Sequence, residues 1–447
     1  MKKQLAVMVM LCIALAGNSQ GIAFEKGSWK EVVAKAKATN KPIFVDVYTS
    51  WCGPCKNMSK NVFTQAEVGK EYNENYICYQ IDAEKGDGIE LAKRYEVKAY
   101  PTYLFLKADG SLFSRSLGSM EAEKFIAVSK TALADMNDPK PLSEMEKEYP
   151  NRKNDAAFLL EYINKREKLG KENAQLFDEY LALLPKEERV SDKTLEIYGK
   201  EKRNIDIHTL AYKNLQENIN LISPIKRGIA YTYLIGCIDN TFRKACDDTD
   251  EKLLEELIVE NQKLPNRSMS KSKDELYMNY YQKIKNWDKY IPYAANYCEG
   301  SLMTISVDSI LKTDNRILLH FDESSMTLKQ AGYDSAQIAE LRNGIAHVFR
   351  NKNSEALNNI AWTFFERTND PLLLEKALLW SGRSVELNDK NPMYIDTYAN
   401  LLYKLGQKEK AIAEETKALN AALNAKEKTK FYEETLKKMK AGEKTWK

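Results

Sequence analysis

Histidine is nearly missing from this chain: its 447 residues include three, His208, His320 and His347, each solitary. There is also no second CxxC to accompany Cys52 and Cys55. A structural zinc site would need two further Cys or His ligands at workable spacing, so no metal is expected. An excess of one charge is lacking too. Lys and Arg number 67 against 64 Asp and Glu, a net charge of +3. That balance gives a polyanion no electrostatic footing, and nucleic acid is not an expected partner. After the first twenty residues no apolar run approaches the length of a membrane helix, so the mature chain is not expected to span a bilayer. What remains is a composition for packed, soluble cores, 43% hydrophobic and 29% charged, at a length for two or three domains.

The N-terminus, MKKQLAVMVMLCIALAGNSQG, has basic Lys2 and Lys3, an apolar stretch over residues 5–16 and a small-residue cleavage site at Ala14-Leu15-Ala16. This is the order of a secretory signal peptide, so residues 1–20 are expected to export the protein to the periplasm and to be removed. Cys12 lacks the preceding small residue of a lipidation site. Outside the cytoplasm thiols tend to be oxidised unless something reduces them.

Over residues 22–136 two periodicities alternate. GSWKEVVAKAKATN reads as a helix with Ser28 as N-cap and Asn40 near its end. KPIFVDVYT is a β-rich apolar run suited to a buried strand. The stretch from Cys52 to Asn75 reads as one helix, YICYQID as a strand and DGIELAKRYEV as a helix. PTYLFLKADGSLFSRSLG reads as a hairpin turning at Asp109-Gly110, and SMEAEKFIAVSKTAL as a closing helix. That order predicts a three-layer α/β domain. Residues 137–154 are rich in proline and charge and read as a linker; 155–350 follow as a helical region. In 351–425 Ala377 and Ala411 stand 34 residues apart, as do Ser384 and Ala418, with Trp362 and Tyr398 in matching places. This resembles tetratricopeptide repeats, stacked helix pairs with a concave face. Residues 426–447 are expected to add a C-terminal helix. Cys237 and Cys246 are candidates for a disulfide between neighbouring helices, while Cys78 and Cys298 read as buried thiols.

The chemistry centres on VYTSWCGPCKNM, residues 47–58. A structural disulfide is disfavoured there, because a two-residue loop constrains the unfolded chain very little. A redox dithiol fits better. A strand runs into the pair and a helix starts at it, so Cys52 would meet unpaired N–H groups and the positive end of the helix dipole, which stabilise a thiolate. Cys55, one turn inward, suits a resolving role. Pro54 fits a first helical turn, and Trp51 can present a flat apolar surface.

FVDVYTSWCGPCK, with AYPTYLFLKADG downstream, resembles the thioredoxin family, and in particular its exported members such as the C-terminal domain of thiol:disulfide interchange reductases. The resemblance implies a thioredoxin fold, a redox-active Cys52–Cys55 disulfide with Cys52 attacking and Cys55 resolving, and no cofactor. It makes Asp46 the buried acid that assists proton transfer at Cys55. It makes Pro101 a cis-proline beside the dithiol, with Tyr100, Gly118, Trp51, Gly53 and Pro54 in the substrate groove. The chain departs from the family where a lysine often stands near the acid; here the region carries Cys78, Tyr79 and Gln80. The expectation is therefore an exported thiol–disulfide oxidoreductase that reduces disulfide-containing client proteins. The Gly-Pro pair favours a reducing potential, about −270 mV in thioredoxin itself, so a membrane-bound electron donor is expected. The helical region is expected to dock clients or partners. An isomerase, or a repeat-based binding scaffold with little turnover, is the alternative.

Overall fold

The computed structural model describes residues 21–201, 204–265, 270–330 and 334–446; the expected signal peptide, residues 1–20, lies outside them. The N-terminal part runs α1 (Trp29–Thr39), β1 (Ile43–Tyr48), α2 (Gly53–Asn61), α3 (Ala66–Asn75), β2 (Ile77–Asp82), α4 (Asp87–Arg94), β3 (Thr102–Leu106), β4 (Leu112–Leu117) and α5 (Ala122–Met136). Strand β1, IFVDVY, is buried from Ile43 to Val47. A strand so apolar needs neighbours on both edges and cover on both faces. It has them: β2 pairs parallel on one edge and β3 antiparallel on the other, in the sheet order β2-β1-β3-β4.

Side chains alternate across a strand. Ile43, Val45 and Val47 therefore enter one core, with Val32 and Ala36 of α1 and Leu91 of α4. Phe44 enters the other, with Met58 of α2, Tyr72 of α3 and Phe125 of α5. The result is the expected three-layer α/β thioredoxin fold. Local signals hold at its edges. Ser28 caps α1, its backbone N–H donating to Glu31 Oε2 at 2.7 Å, and Asn40 ends the helix at φ 51°. The hairpin turns at Asp109-Gly110, where Gly110 takes a φ of +86° and Asp109 Oδ1 accepts from Ser111 N–H at 2.8 Å.

One local reading differs. The stretch expected as a single helix from Cys52 to Asn75 is two, α2 and α3. The break turns Val62 and Phe63 into the core, 3% and 4% exposed, and frees Phe63 O to accept Ile22 N–H at 2.7 Å. Burial of two apolar side chains outweighs helical continuity there.

Beyond α5 the described chain is mostly helical. Helices α6 (Leu142–Glu148), α7 (Ala156–Lys168), α8 (Ala174–Leu183), α9 (Asp192–Lys200), α10 (Leu210–Asn218) and α11 (Arg227–Asp247) come first. The segment read as a linker holds α6, with Leu142 and Met145 buried. Lys165 Nζ lies 2.5 Å from Asp138 Oδ2, and Lys171 pairs with Glu96 at 3.8 Å. Arg115 of β4 donates to Tyr95 O while lying against Gly170. The α/β part and the first helices thus interlock, and the residues through Asn240 form one compact unit. Neither Cys237 nor Cys246 is disulfide-bonded, and both lie on α11. Nine residues along a helix separate them by about 13.5 Å, too far for a bond. The disulfide considered for them is excluded.

From Thr241 a second unit begins. It holds α12 (Glu251–Gln262), α13 (Lys273–Lys283), α14 (Trp287–Tyr297), α15 (Val307–Gln330), α16 (Ser335–Ile345), α17 (Val348–Arg367), α18 (Pro371–Leu387), α19 (Pro392–Lys404), α20 (Lys408–Asn424) and α21 (Lys430–Ala441). Among the described residues, no helix is long and apolar enough to cross a membrane. Helices α17 and α18 pack together, as do α19 and α20. Between α19 and α20, Asp396 and Glu415 interact directly, 4% and 0% exposed. Asn400 Nδ2 donates to Asp396 Oδ1 at 3.0 Å, and Tyr432 of α21 stands nearby. Burial first, and then the neighbouring Asp396, push Glu415 above the usual carboxylate range; burial also raises Asp396, against smaller lowering by Glu415 and Asn400.

Two stability outcomes follow. Phe44 is fully buried against six aromatic rings, so Phe44→Ala should destabilise the first unit by about 3–5 kcal/mol in denaturant unfolding. The Asp396–Glu415 pair binds protons more tightly folded than unfolded. Its contribution is complete below the ordinary carboxylate range and is lost as the pH rises through the raised values, at up to about 1.4 kcal/mol per pH unit for each proton. Thermal unfolding of the second unit should weaken from pH 5 to pH 9, and Glu415→Gln should flatten that slope.

Candidate active site

The C-terminal end of β1, the start of β3 and the end of β4 meet at one edge of the sheet, since Val47 and Leu117 both pair with Thr102. All nine residues expected at the site lie on or beside that edge. Strand β1 delivers the chain to Cys52, which is the N-cap of α2. Cys52 and Cys55 are joined by a disulfide, 3% and 4% exposed. Cys55 N–H donates to Cys52 Sγ at 3.1 Å. In the reduced protein the same N–H and the helix dipole favour a thiolate on Cys52 rather than Cys55. Pro54 stands in the first turn of α2, where its missing N–H leaves no hydrogen bond unmade. Beyond Gly53 there is open space where a Cβ would stand.

Trp51 is 65% exposed yet held in place. Its Nε1–H donates to Glu84 Oε1 at 3.0 Å, and its ring meets Tyr100 edge-on at 5.9 Å. The Tyr100–Pro101 peptide bond is cis. Gly118 N–H donates to Pro101 O at 3.0 Å, at a φ of +85° and with open space on its Cβ side. Deeper in α2, Met58 Sδ accepts from Met120 N–H at 3.3 Å. The surface around Cys52 therefore has an aromatic corner, Trp51 edge-on to Tyr100, and open space over the Gly53 and Gly118 backbone.

Asp46 lies beneath this surface, on the Phe44 face of β1 and 1% exposed. Its Oδ2 accepts from Gln80 Nε2 at 2.8 Å, and its Oδ1 has no hydrogen-bond partner among the described residues. Burial pushes the carboxyl up to about 7, against a smaller lowering by the Gln80 amide. A carboxyl of that acidity can take or give a proton near neutral pH. Gln80, Ser59 and Glu84 were not among the expected site residues. The resemblance placed Cys78, Tyr79 and Gln80 near the acid, and strand register picks out Gln80, opposite Asp46 across the parallel β1–β2 pair.

Because its folded value is raised, Asp46 adds stability below about pH 4 that is lost as the pH climbs through about 7. Asp46→Asn should therefore stabilise the oxidised protein at pH 8 by roughly 2–4 kcal/mol and change it little at pH 4. Denaturant unfolding at the two pH values checks this. Equal effects at both would mean that the carboxyl titrates at its ordinary value.

Residues 29–133 match the family model described as "Thioredoxin-like domain". Thioredoxin H5 of Arabidopsis thaliana is 33% identical over 110 residues, 24% of this chain and 87% of that protein. Thioredoxin-1 of Drosophila melanogaster is 38% identical over 77 residues, 17% of this chain and 67% of the relative. Thiol:disulfide interchange protein DsbD of Colwellia psychrerythraea is 30% identical over 126 residues, 26% of this chain but only 21% of that longer protein. With its cysteine pair at a strand-to-helix turn and its buried sheet, the chain belongs to the thioredoxin family of thiol–disulfide oxidoreductases.

Proposed function

We propose that this chain is an exported reductase of client disulfides, acting through Cys52 and Cys55. The observation that carries the proposal is the position of Cys52 at the first turn of α2, with the Cys55 N–H on its sulfur at 3.1 Å. The Cys52 thiolate attacks one sulfur of a client disulfide; a Cys52–client bond forms and the other client sulfur leaves as a thiolate. Asp46 takes the proton of the Cys55 thiol, and the Cys55 thiolate attacks Cys52 Sγ. The internal disulfide closes and the second client sulfur leaves. Two electrons have passed to the client, and a membrane-bound dithiol donor returns them. Trp51 and Tyr100 supply an apolar plate for the client, while the Gly53 and Gly118 surfaces let its backbone approach.

Export rests on the N-terminal segment. The helical region is a docking surface built from tetratricopeptide-like pairs, α17–α18 and α19–α20. Its support is that Ala377, Ala411, Ser384 and Ala418, the small residues at matching places, are all fully buried, as close helix packing requires. Reduced wild-type protein should reduce insulin disulfides, Cys52→Ala should abolish this, and Cys55→Ala should accumulate mixed disulfides with exported clients. Turnover that survives Cys52→Ala would remove the assignment. Faster recovery of scrambled ribonuclease than reduction of insulin would favour the isomerase.

A further inference from the structure

The two oxygens of Asp46 differ. Gln80 Nε2 donates to Oδ2 at 2.8 Å and also lies 3.3 Å from Ser59 Oγ, so one amide group spans the buried carboxyl and helix α2. Oδ1 is left without a partner among the described residues. Gln80 itself is half-buried, and with Ser59, Tyr48, Thr49, Cys55 and Lys56 it lines an open cleft beside the disulfide. The cleft therefore touches both Cys55 and the amide that covers Asp46. The other groups facing the carboxyl are few. Tyr103 pairs with Asp46 from β3, and burial raises its phenol far above neutral pH, so it stays uncharged. Lys56 and Lys60 stand on the cleft lining, and among the described residues Gln80 alone donates a side-chain hydrogen bond to Asp46.

We propose that Gln80 is a positioning residue for the second chemical step. It holds Oδ2 and leaves Oδ1 free for the Cys55 proton, and it sets the pH at which that transfer works. The inference rests on the oxidoreductase reading given above. A neutral amide favours the carboxylate through one N–H only. An ammonium in its place would add a full charge and favour the carboxylate more, while an apolar side chain would remove the last donor. The two substitutions must then move Asp46 in opposite directions. A residue that only fills space would shift it the same way in both, or not at all. Proton balance is simple: Asp46 gains the proton that Cys55 loses, and returns it to solvent past Gln80 and Ser59 before the next cycle.

The test uses the full chain with 13C-labelled aspartate, following the Asp46 carboxyl resonance against pH in the oxidised protein, with Asp46→Asn to assign it. Insulin reduction between pH 5.5 and 9 is measured in parallel. Gln80→Lys should lower the Asp46 midpoint by about one pH unit or more, and Gln80→Leu should raise it by about one. The acid limb of turnover should follow, so that Gln80→Leu loses roughly tenfold at pH 6 and little at pH 8.5. The oxidised disulfide and circular dichroism confirm that each variant folds. Midpoints that stay within a few tenths of the wild type, or that move together, overturn the proposal. So does a turnover profile that ignores a shifted midpoint. A wild type with no reductase activity at any pH overturns the oxidoreductase reading instead, and the midpoints then still decide whether Gln80 governs Asp46.

Discussion

Strand β1 is paired on both edges and covered on both faces, and the rest of the α/β part is arranged around that requirement. Its odd positions need the α1–α4 core and its even positions the α2–α3–α5 core. Phe44 and Asp46 share the even face, so the strand that anchors an aromatic cluster also sets a carboxyl two residues further along, beneath α2. The same strand ends at the dithiol. Core packing and chemistry are thus two consequences of one two-residue period, and a one-residue slip of β1 would exchange them.

Two opposite electrostatic settings lie within one short helix and the strand below it. At the N-terminus of α2, backbone N–H groups and the helix dipole favour charge on Cys52. Beneath it, burial disfavours charge on Asp46, and Gln80 restores only part of the lost solvation. In the proposed sequence of two attacks these settings are complementary, since the first needs a charged sulfur and the second needs a place for a proton.

In the second unit the Asp396–Glu415 pair applies the same desolvation without a counter-charge. Two buried carboxyls beside one another within a helix pair are tolerated while at least one of them carries its proton. Small residues at Ala377, Ala411, Ser384 and Ala418 let the helices approach closely enough to shut water out.

Much of this was legible from local chemistry. The run IFVDVY, the Ser28 and Asn40 signals, the Asp109-Gly110 turn and Pro54 inside a first helical turn depend on neighbours within a few residues, and each sits where the pattern puts it. The dithiol and its strand-to-helix setting are local in the same sense. What only the packed chain decides joins residues far apart. Gln80 meets Asp46 across 34 residues because β2 pairs with β1 in one particular register, and Glu84 meets Trp51 across 33. The break after Asn61 came from Val62 and Phe63 seeking the core, against a helical pattern that ran on. Residues 137–154 lost their freedom to contacts with α7, and Cys237 and Cys246 were parted by one unbroken helix. Local periodicity encodes which way a side chain faces; which distant residue it then meets is set by register and burial, and these exist only once the elements have packed.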